Sequence, residues 1–192
     1  MHDTQQLLKC GLIDEDISAL FLGVFPADQI PLFFPTRDWC LIANTDPAGK
    51  DGQHWIAMGF KWRQNFFFDS YGNKPSFYQE CWKRFDKWRR WDKDVQQLTS
   101  DVCGDWCLYW CSGFARVLTE NKLSRFLNKF CDNKMENDSH VVRVIHSKFP
   151  RIMNTTKHSN RLDVILREKL DSIAYPQCLS CNQVCTYRRK LI

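Results

Sequence analysis

No stretch of this 192-residue chain approaches the roughly 18 consecutive apolar residues of a membrane span, so a helical anchor and a membrane partner are excluded from the reading. The first residues, Met1-His2-Asp3-Thr4-Gln5-Gln6, are polar and offer no apolar signal core. The expected location is therefore intracellular, in cytoplasm, nucleus or virion, and not secreted. The low apolar content of a disordered chain is also missing: 44% of the residues are apolar, enough for a substantial core. What the chain has in quantity is aromatic rings and cysteine. Fourteen Phe and eight Trp predict an aromatic-rich core. Ten cysteines in a reducing compartment read as free thiols, a setting that suits a catalytic thiolate. The Asn137-Asp138-Ser139 and Asn154-Thr155-Thr156 sequons then carry no glycan.

Length predicts a single domain, taken as residues 1–175, with residues 176–192 as a basic, cysteine-containing tail. Short helical signals at residues 4–10 and an apolar segment at 16–24 precede a loop containing Pro26, Pro31 and Pro35. Residues 39–44, 54–62 and 65–69, rich in Trp, Ile and Phe, predict strands separated by turns at Asp46-Pro47-Ala48-Gly49 and Arg63-Gln64. A small, mainly antiparallel sheet is expected. Residues 76–91 place Phe77, Cys81, Phe85 and Trp88 at spacing near four, which predicts a helix. From Gly104 to Leu118, Trp106, Trp110, Phe114 and Val117 recur at helical spacing, with Cys107 and Cys111 one step round the same surface, which predicts a buried central helix.

Charge is uneven: the balance is +8 from Arg116 onward and −3 before it. A basic surface can bind phosphates by counterion release, or can simply be a solvated face. The run Trp82-Lys83-Arg84-Phe85-Asp86-Lys87-Trp88-Arg89-Arg90-Trp91 interleaves rings and cations as single-strand binders do, but its spacing also fits an amphipathic core helix. In the tail, Cys178, Cys181 and Cys185 have spacings that a zinc site tolerates, yet no fourth ligand lies nearby. Cys131, His140, His146 or His158 would have to supply it, and no metal is assigned.

The chemistry concentrates in three segments: Gly52-Gln53-His54-Trp55-Ile56-Ala57, Phe67-Phe68-Asp69-Ser70-Tyr71-Gly72, and Gln97 followed by Cys103-Gly104 with Cys107 beyond. A thiol becomes a strong nucleophile as a thiolate, which a neighbouring imidazole can generate and hold as an ion pair. His54 and Cys103 supply that pair. A carboxylate on the far ring nitrogen fixes tautomer and orientation, and the apolar run Phe66 to Phe68 delivers Asp69 at a strand end for that role. An oxyanion needs preorganised donors, which backbone N–H groups at a helix start near Cys103 and the Gln97 amide can provide. Gln96 is a close competitor for that place. A helix start at Cys103 also favours the thiolate. Taken singly, each residue has an ordinary reading: a structural histidine, a turn aspartate, a buried thiol, a solvated glutamine. Order and spacing together argue for the site.

These motifs, with Phe21-Leu22-Gly23-Val24-Phe25, Asn44-Thr45 and Cys103-Gly104-Asp105-Trp106-Cys107, resemble the adenovirus endopeptidase family and, more distantly, the proteases that process SUMO and other ubiquitin-like proteins. The likeness covers about residues 7–120. It implies an α+β, papain-like fold in permuted His-Asp-Cys order, with a central nucleophile helix packed on the sheet. It implies His54 as base, Asp69 as orienting acid, Cys103 as nucleophile, Gln97 as oxyanion donor, Trp55 as packing partner behind the histidine, and Gly104 as part of the nucleophile motif. Three departures stand out. Asp69 occupies a place commonly held by Glu in the viral enzymes, although the ubiquitin-like proteases use Asp there. Asp105 sits where the family prefers an apolar residue, and its carboxylate would oppose thiolate formation unless it points to water. The segment from Arg90 to Cys103 is short and has no cysteine before Cys103 through which that family's activating peptide could form a disulfide.

The resulting expectation is a cysteine endopeptidase acting through an acyl-thioester on viral or virus-like (mobile-element) structural precursor proteins. The alternatives are a deconjugating protease for a SUMO-type modifier and a catalytically silent DNA-binding or scaffold protein. The sequence requires no cofactor; the resemblance implies DNA as an activator, met by the basic C-terminal third. Protein or peptide is the expected substrate, and the sequence sets no oligomeric state.

Overall fold

The computed structural model describes residues 2–153; the boundary expected near residue 175 and the tail cysteines Cys178, Cys181 and Cys185 lie outside the described residues. The chain opens with α1 (Thr4–Ile13), started by a capping box in which Asp3 Oδ1 accepts from the Gln6 N–H at 2.7 Å and Gln6 Oε1 accepts from the Asp3 N–H at 3.0 Å. Strands β1 (Phe21–Phe25), β2 (Trp39–Asn44), β3 (Trp55–Lys61), β4 (Gln64–Phe68) and the two-residue β5 (Arg89–Arg90) form one sheet in the order β1-β2-β3-β4-β5. The strands expected at 39–44, 54–62 and 65–69 are β2, β3 and β4. The sheet is mixed rather than mainly antiparallel: β2/β3 and β3/β4 run antiparallel, but both edge pairs, β1/β2 and β4/β5, run parallel. A parallel neighbour needs a crossover instead of a tight turn, and the long segments 26–38 and 69–88 supply one at each edge.

β3 and β4 join through Trp62 and Arg63, both at positive φ (52° and 62°), so the turn falls one residue earlier than its sequence signal. Packing of the Trp62 ring on Phe66 and Phe114, at centroid distances of 5.9 and 6.3 Å, offsets the cost of that backbone. Every residue of β2 is buried, as expected where both faces of a sheet are covered.

The helix expected at residues 76–91 is not an α-helix. The segment forms 3₁₀ turns at Pro75–Phe77 and Glu80–Phe85 and then enters β5. The apparent stripe of four does not share a face, because Phe77 is 64% exposed and Cys81 is exposed, while Phe85 is buried. Trp82, Phe85 and Trp88 instead follow a period of three, the pitch of a 3₁₀ turn, and their rings pack in sequence at centroid distances of 5.6 and 4.8 Å. Burial of Trp82 and Phe85 removes them from use as base-stacking platforms.

The helix expected at 104–118 is α2 (Cys103–Arg116), buried from Cys103 through Phe114. It packs on β2 and β3, with α1, α3 (Glu120–Asn128) and α4 (Lys134–Lys148) also against it; a short α5 (Pro150–Met153) follows. Trp110 stacks on Phe68 of β4 at 5.7 Å and on Phe114 at 4.5 Å, so the aromatic stripe of the helix meets the aromatic face of the sheet. The far end of α2 is fixed by Lys61 of β3, whose Nζ donates to the carbonyls of Phe114, Ala115 and Val117 at 2.8, 3.0 and 2.9 Å. A cation there satisfies carbonyls left open at a helix C-terminus and complements its dipole. The architecture is α+β. Among the described residues no helix is long and apolar enough to cross a membrane.

Candidate active site

His54 is the residue before β3, held there by the Thr45 N–H donating to its carbonyl at 2.9 Å. Asp69 is the residue after β4. The β3/β4 register sets Ala57 opposite Phe68; continued past the last paired residues, it brings His54 opposite Tyr71, with Asp69 diagonal to it on the same face. The two side chains meet accordingly, with His54 Nε2 2.7 Å from Asp69 Oδ1. Cys103 is the first residue of α2 and acts on the same imidazole, raising its pKa. With Nε2 engaged by the carboxylate, Nδ1 is the ring atom left for the thiol. His54, Asp69 and Cys103, far apart in sequence, are thus brought together, all at most 5% exposed.

Asp69 accepts four hydrogen bonds. Oδ1 receives His54 Nε2 and the Tyr71 N–H at 2.9 Å; Oδ2 receives the Tyr78 hydroxyl at 2.6 Å and the Asn73 N–H at 3.1 Å. Burial alone would raise its pKa, but the bond and charge of His54 and the other donors outweigh it and hold the carboxyl below 3.8. Burial likewise works against a charged His54, yet the bonds to Asp69 and Cys103 prevail and lift its pKa to about 9. The turn carrying these donors depends on Gly72, at φ +69°, where a Cβ would lie 2.8 Å from the Asp92 carbonyl oxygen. Along α2, burial pushes the Cys107 and Cys111 thiols well up, so they are inert near neutral pH.

The two glutamines separate. Gln97 directs its side chain outward, where Nε2 donates to Thr99 Oγ1 at 3.2 Å. Gln96 is fully buried: Oε1 accepts from the Ser70 hydroxyl at 2.6 Å, and Nε2 donates to the Ser100 carbonyl at 3.0 Å and the Tyr71 hydroxyl at 3.2 Å. Because the Tyr71 ring stacks on His54 at 4.7 Å, it is Gln96 and not Gln97 whose amide faces the histidine's surroundings. The loop carrying Gln96 is pinned by Asp138 of α4, which accepts from the Gln97 N–H, the Ser100 hydroxyl and Trp106 Nε1 at 3.1, 2.7 and 2.8 Å. Asn137 beside it is 3% exposed and donates to the Val95 and Cys131 carbonyls, so the side chain of the first sequon is a buried structural amide. The second sequon lies outside the described residues.

Sequence reasoning did not find Tyr71, Tyr78 or Asp138. The two tyrosines sit in or just after the Asp69 turn, where a search for rings flanking the acid would have found them; Asp138 carries no local signal. The rings stacked on His54 are Tyr71 and, at 6.0 Å, Tyr78. Trp55 is buried, and its Nε1 donates to the His2 carbonyl at 3.2 Å. Gly104 follows Cys103 where a Cβ would crowd Leu7 and His2, at 3.1 and 3.3 Å. Asp105 does not reach water; it is 2% exposed, and its Oδ2 lies 2.8 Å from His2 Nε2.

An imidazole held between a buried carboxylate and a thiol at a helix start can take a proton from sulfur and return it to a leaving group. A scan against models of protein families and a search of curated proteins each gave no match to the chain.

Proposed function

We propose that the chain is a cysteine endopeptidase of papain-like architecture in permuted order, with Cys103 as nucleophile, His54 as general base and acid, and Asp69 as the residue that orients it. The observation that carries this reading is the buried Asp69–His54–Cys103 chain, with His54 lifted to about 9 so that it is an imidazolium once it has accepted the thiol proton at neutral pH. In the reaction, the Cys103 sulfur, whose proton His54 already holds in the resting pair, bonds through Sγ to the substrate carbonyl carbon. The oxyanion is received by first-turn N–H groups of α2, which no side chain caps among the described residues, and by Gln96 Nε2. The C–N bond then breaks, His54 protonates the amine, and water attacks the thioester with His54 as base; the C–S bond breaks and the thiol is regenerated.

Gln96 is preferred to Gln97 because its amide is buried beside Tyr71, whereas that of Gln97 bonds Thr99 at the surface. The Tyr71 hydroxyl stands in for the acyl oxygen on Gln96 Nε2, so substrate must displace it. Near-complete burial of Cys103 and His54 supports an enzyme that opens on meeting its substrate or an activator. The substrate class, virion or capsid-like precursors, and DNA as the activator follow from the resemblance to the adenovirus endopeptidases and from the +8 balance after Arg116. Asp105, the departure nearest the thiol, is engaged by His2.

The test is labelling of the full chain by a thiolate-directed electrophile near neutral pH, with and without DNA, and mapping by mass spectrometry. Cys103 should label first, and Cys103→Ala and His54→Ala should each abolish that labelling. Labelling confined to the exposed Cys81 and Cys131 would overturn the assignment. Cleavage of short peptides with small residues near the cut would support the viral-type substrate; cleavage only after Gly-Gly on a folded modifier would support a deconjugase.

A further inference from the structure

Away from the Cys103–His54 pair, the segment before α1 meets α2 and α4 with three ligand-type side chains. His2 Nε2 lies 2.8 Å from Asp105 Oδ2, and His146 Nε2 lies 3.4 Å from Asp105 Oδ1. One donor atom from each residue can be chosen so that all lie within 4.8 Å of one another. Asp105 is 2% exposed, and its Oδ1 has no hydrogen-bond partner among the described residues. A buried carboxylate oxygen without a donor is costly, and this one faces an imidazole nitrogen. The two imidazole rings are tilted by 54° instead of stacked, with centroids 5.7 Å apart.

Two histidines and one carboxylate form a ligand set of three-residue zinc sites. We propose that His2, Asp105 and His146 bind one divalent cation of the zinc type, with water as the fourth ligand. Tetrahedral bonds near 2.0–2.1 Å put neighbouring ligand atoms about 3.3 Å apart. The separation of His146 from Asp105 Oδ1, 3.4 Å, already matches, while His2 lies against Oδ2. One carboxylate oxygen serves both histidines, and the three donor atoms, all within 4.8 Å of one another, draw together by up to about 1.5 Å to reach that spacing. The His146 side chain is 39% exposed, which gives the ion a path and the fourth position access to solvent. Behind the ligands, the His2 carbonyl is held by Trp55 Nε1, and the missing Cβ of Gly104 leaves room for the His2 ring. The bound ion fastens the segment before α1, the first turn of α2 and the C-terminal half of α4 to one another. Its ligands stand at positions 2, 105 and 146, with no spacing that a sequence motif would reveal. The site does not depend on Cys103 being a nucleophile.

The experiment uses the full chain carrying Cys103→Ala, which removes the thiol of the other imidazole pair as a competing ligand. Protein is equilibrated with zinc, freed of loosely held ion by gel filtration, and its metal content measured beside the same chain with His146→Gln or His2→Gln. Any zinc held by Cys178, Cys181 and Cys185 without His146 is common to all three and cancels; zinc held by those thiols with His146 would show as a thiolate band in the cobalt difference spectrum. Each histidine variant should hold one equivalent less, and zinc should raise the melting temperature of the parent by several degrees but leave that increment absent in the variants. With cobalt(II), the parent-minus-variant spectrum should show ligand-field bands without thiolate charge transfer. Equal metal content in the three chains, with equal melting temperatures in chelator showing that all are folded, would mean that the three side chains form an ion-pair cluster only, and would overturn the site. A thiolate band in the cobalt difference spectrum would overturn it as well.

Discussion

Asp69→Asn keeps the shape of the side chain and removes its charge while four donors still point at it: His54 Nε2 and the Tyr71 N–H on one oxygen, the Tyr78 hydroxyl and the Asn73 N–H on the other. An amide has one oxygen, so its NH₂ must face one of these pairs. The Tyr78 hydroxyl can turn and accept, but a backbone N–H cannot, and the better orientation leaves the Asn73 N–H unpaired at about 1–3 kcal/mol. The larger change falls on His54. Its rise from 6.5 to about 9 is achieved against burial by the bonds to Asp69 and Cys103. That rise corresponds to roughly 3 kcal/mol of preference for the imidazolium. Without the carboxylate, burial dominates and the pKa falls toward or below 6.5.

The sign of the pH dependence follows. His54 is raised on folding, so its contribution is complete below pH 6.5 and is lost as pH rises through about 9. Asp69 is lowered, so its contribution is present above pH 3.8 and is lost as pH falls through its folded value. From about pH 6 to about pH 10 the wild-type chain should lose roughly 3 kcal/mol of unfolding free energy more than Asp69→Asn does. Urea unfolding followed by tryptophan fluorescence across that range gives both curves. If the gap between the two chains were the same at both ends of the range, the ion pair would contribute nothing, and Asp69 would be only the acceptor that shapes its turn.

Gln96→Ala should lower kcat on a cleaved peptide by about 10²–10³-fold, the usual loss for one oxyanion donor, while Gln97→Ala changes it only a few-fold; single-turnover assays that reverse this order would return the role to Gln97. Lys61→Met keeps the stem but leaves three carbonyls at the end of α2 without their cation, and should cost about 2–4 kcal/mol in urea unfolding; a loss below 1 would show that water replaces the ammonium. Gly72→Ala puts a Cβ against the backbone at Asp92 in a left-handed conformation and should cost more than about 1 kcal/mol. A thermal melt unchanged in this variant would mean that the turn after Asp69 relaxes freely.

Much of the site was legible because its pieces are local. The β2, β3 and β4 strands follow from short apolar runs between turn residues, and α2 from the repeat of Trp106, Trp110 and Phe114; His54, Asp69 and Cys103 sit at the ends of those elements. The stretch 76–91 misled because its rings fit two periods, and the choice was made by burial of Trp82 and Phe85 against the sheet, which the chain cannot announce locally. Gln96 and Gln97 are adjacent and chemically alike, so only the tertiary hydrogen bonds to Ser70, Tyr71 and Asp138 decide which one turns inward. The same holds for Asp105: by sequence it is a charge two residues from a thiol, and by structure it is a buried carboxylate facing His2 and His146. Local pattern determined β2, β3, β4 and α2 and the residues at their ends; which side chains meet was decided by packing, since contacts between positions as far apart as 2, 105 and 146 exist only once the core has closed around them.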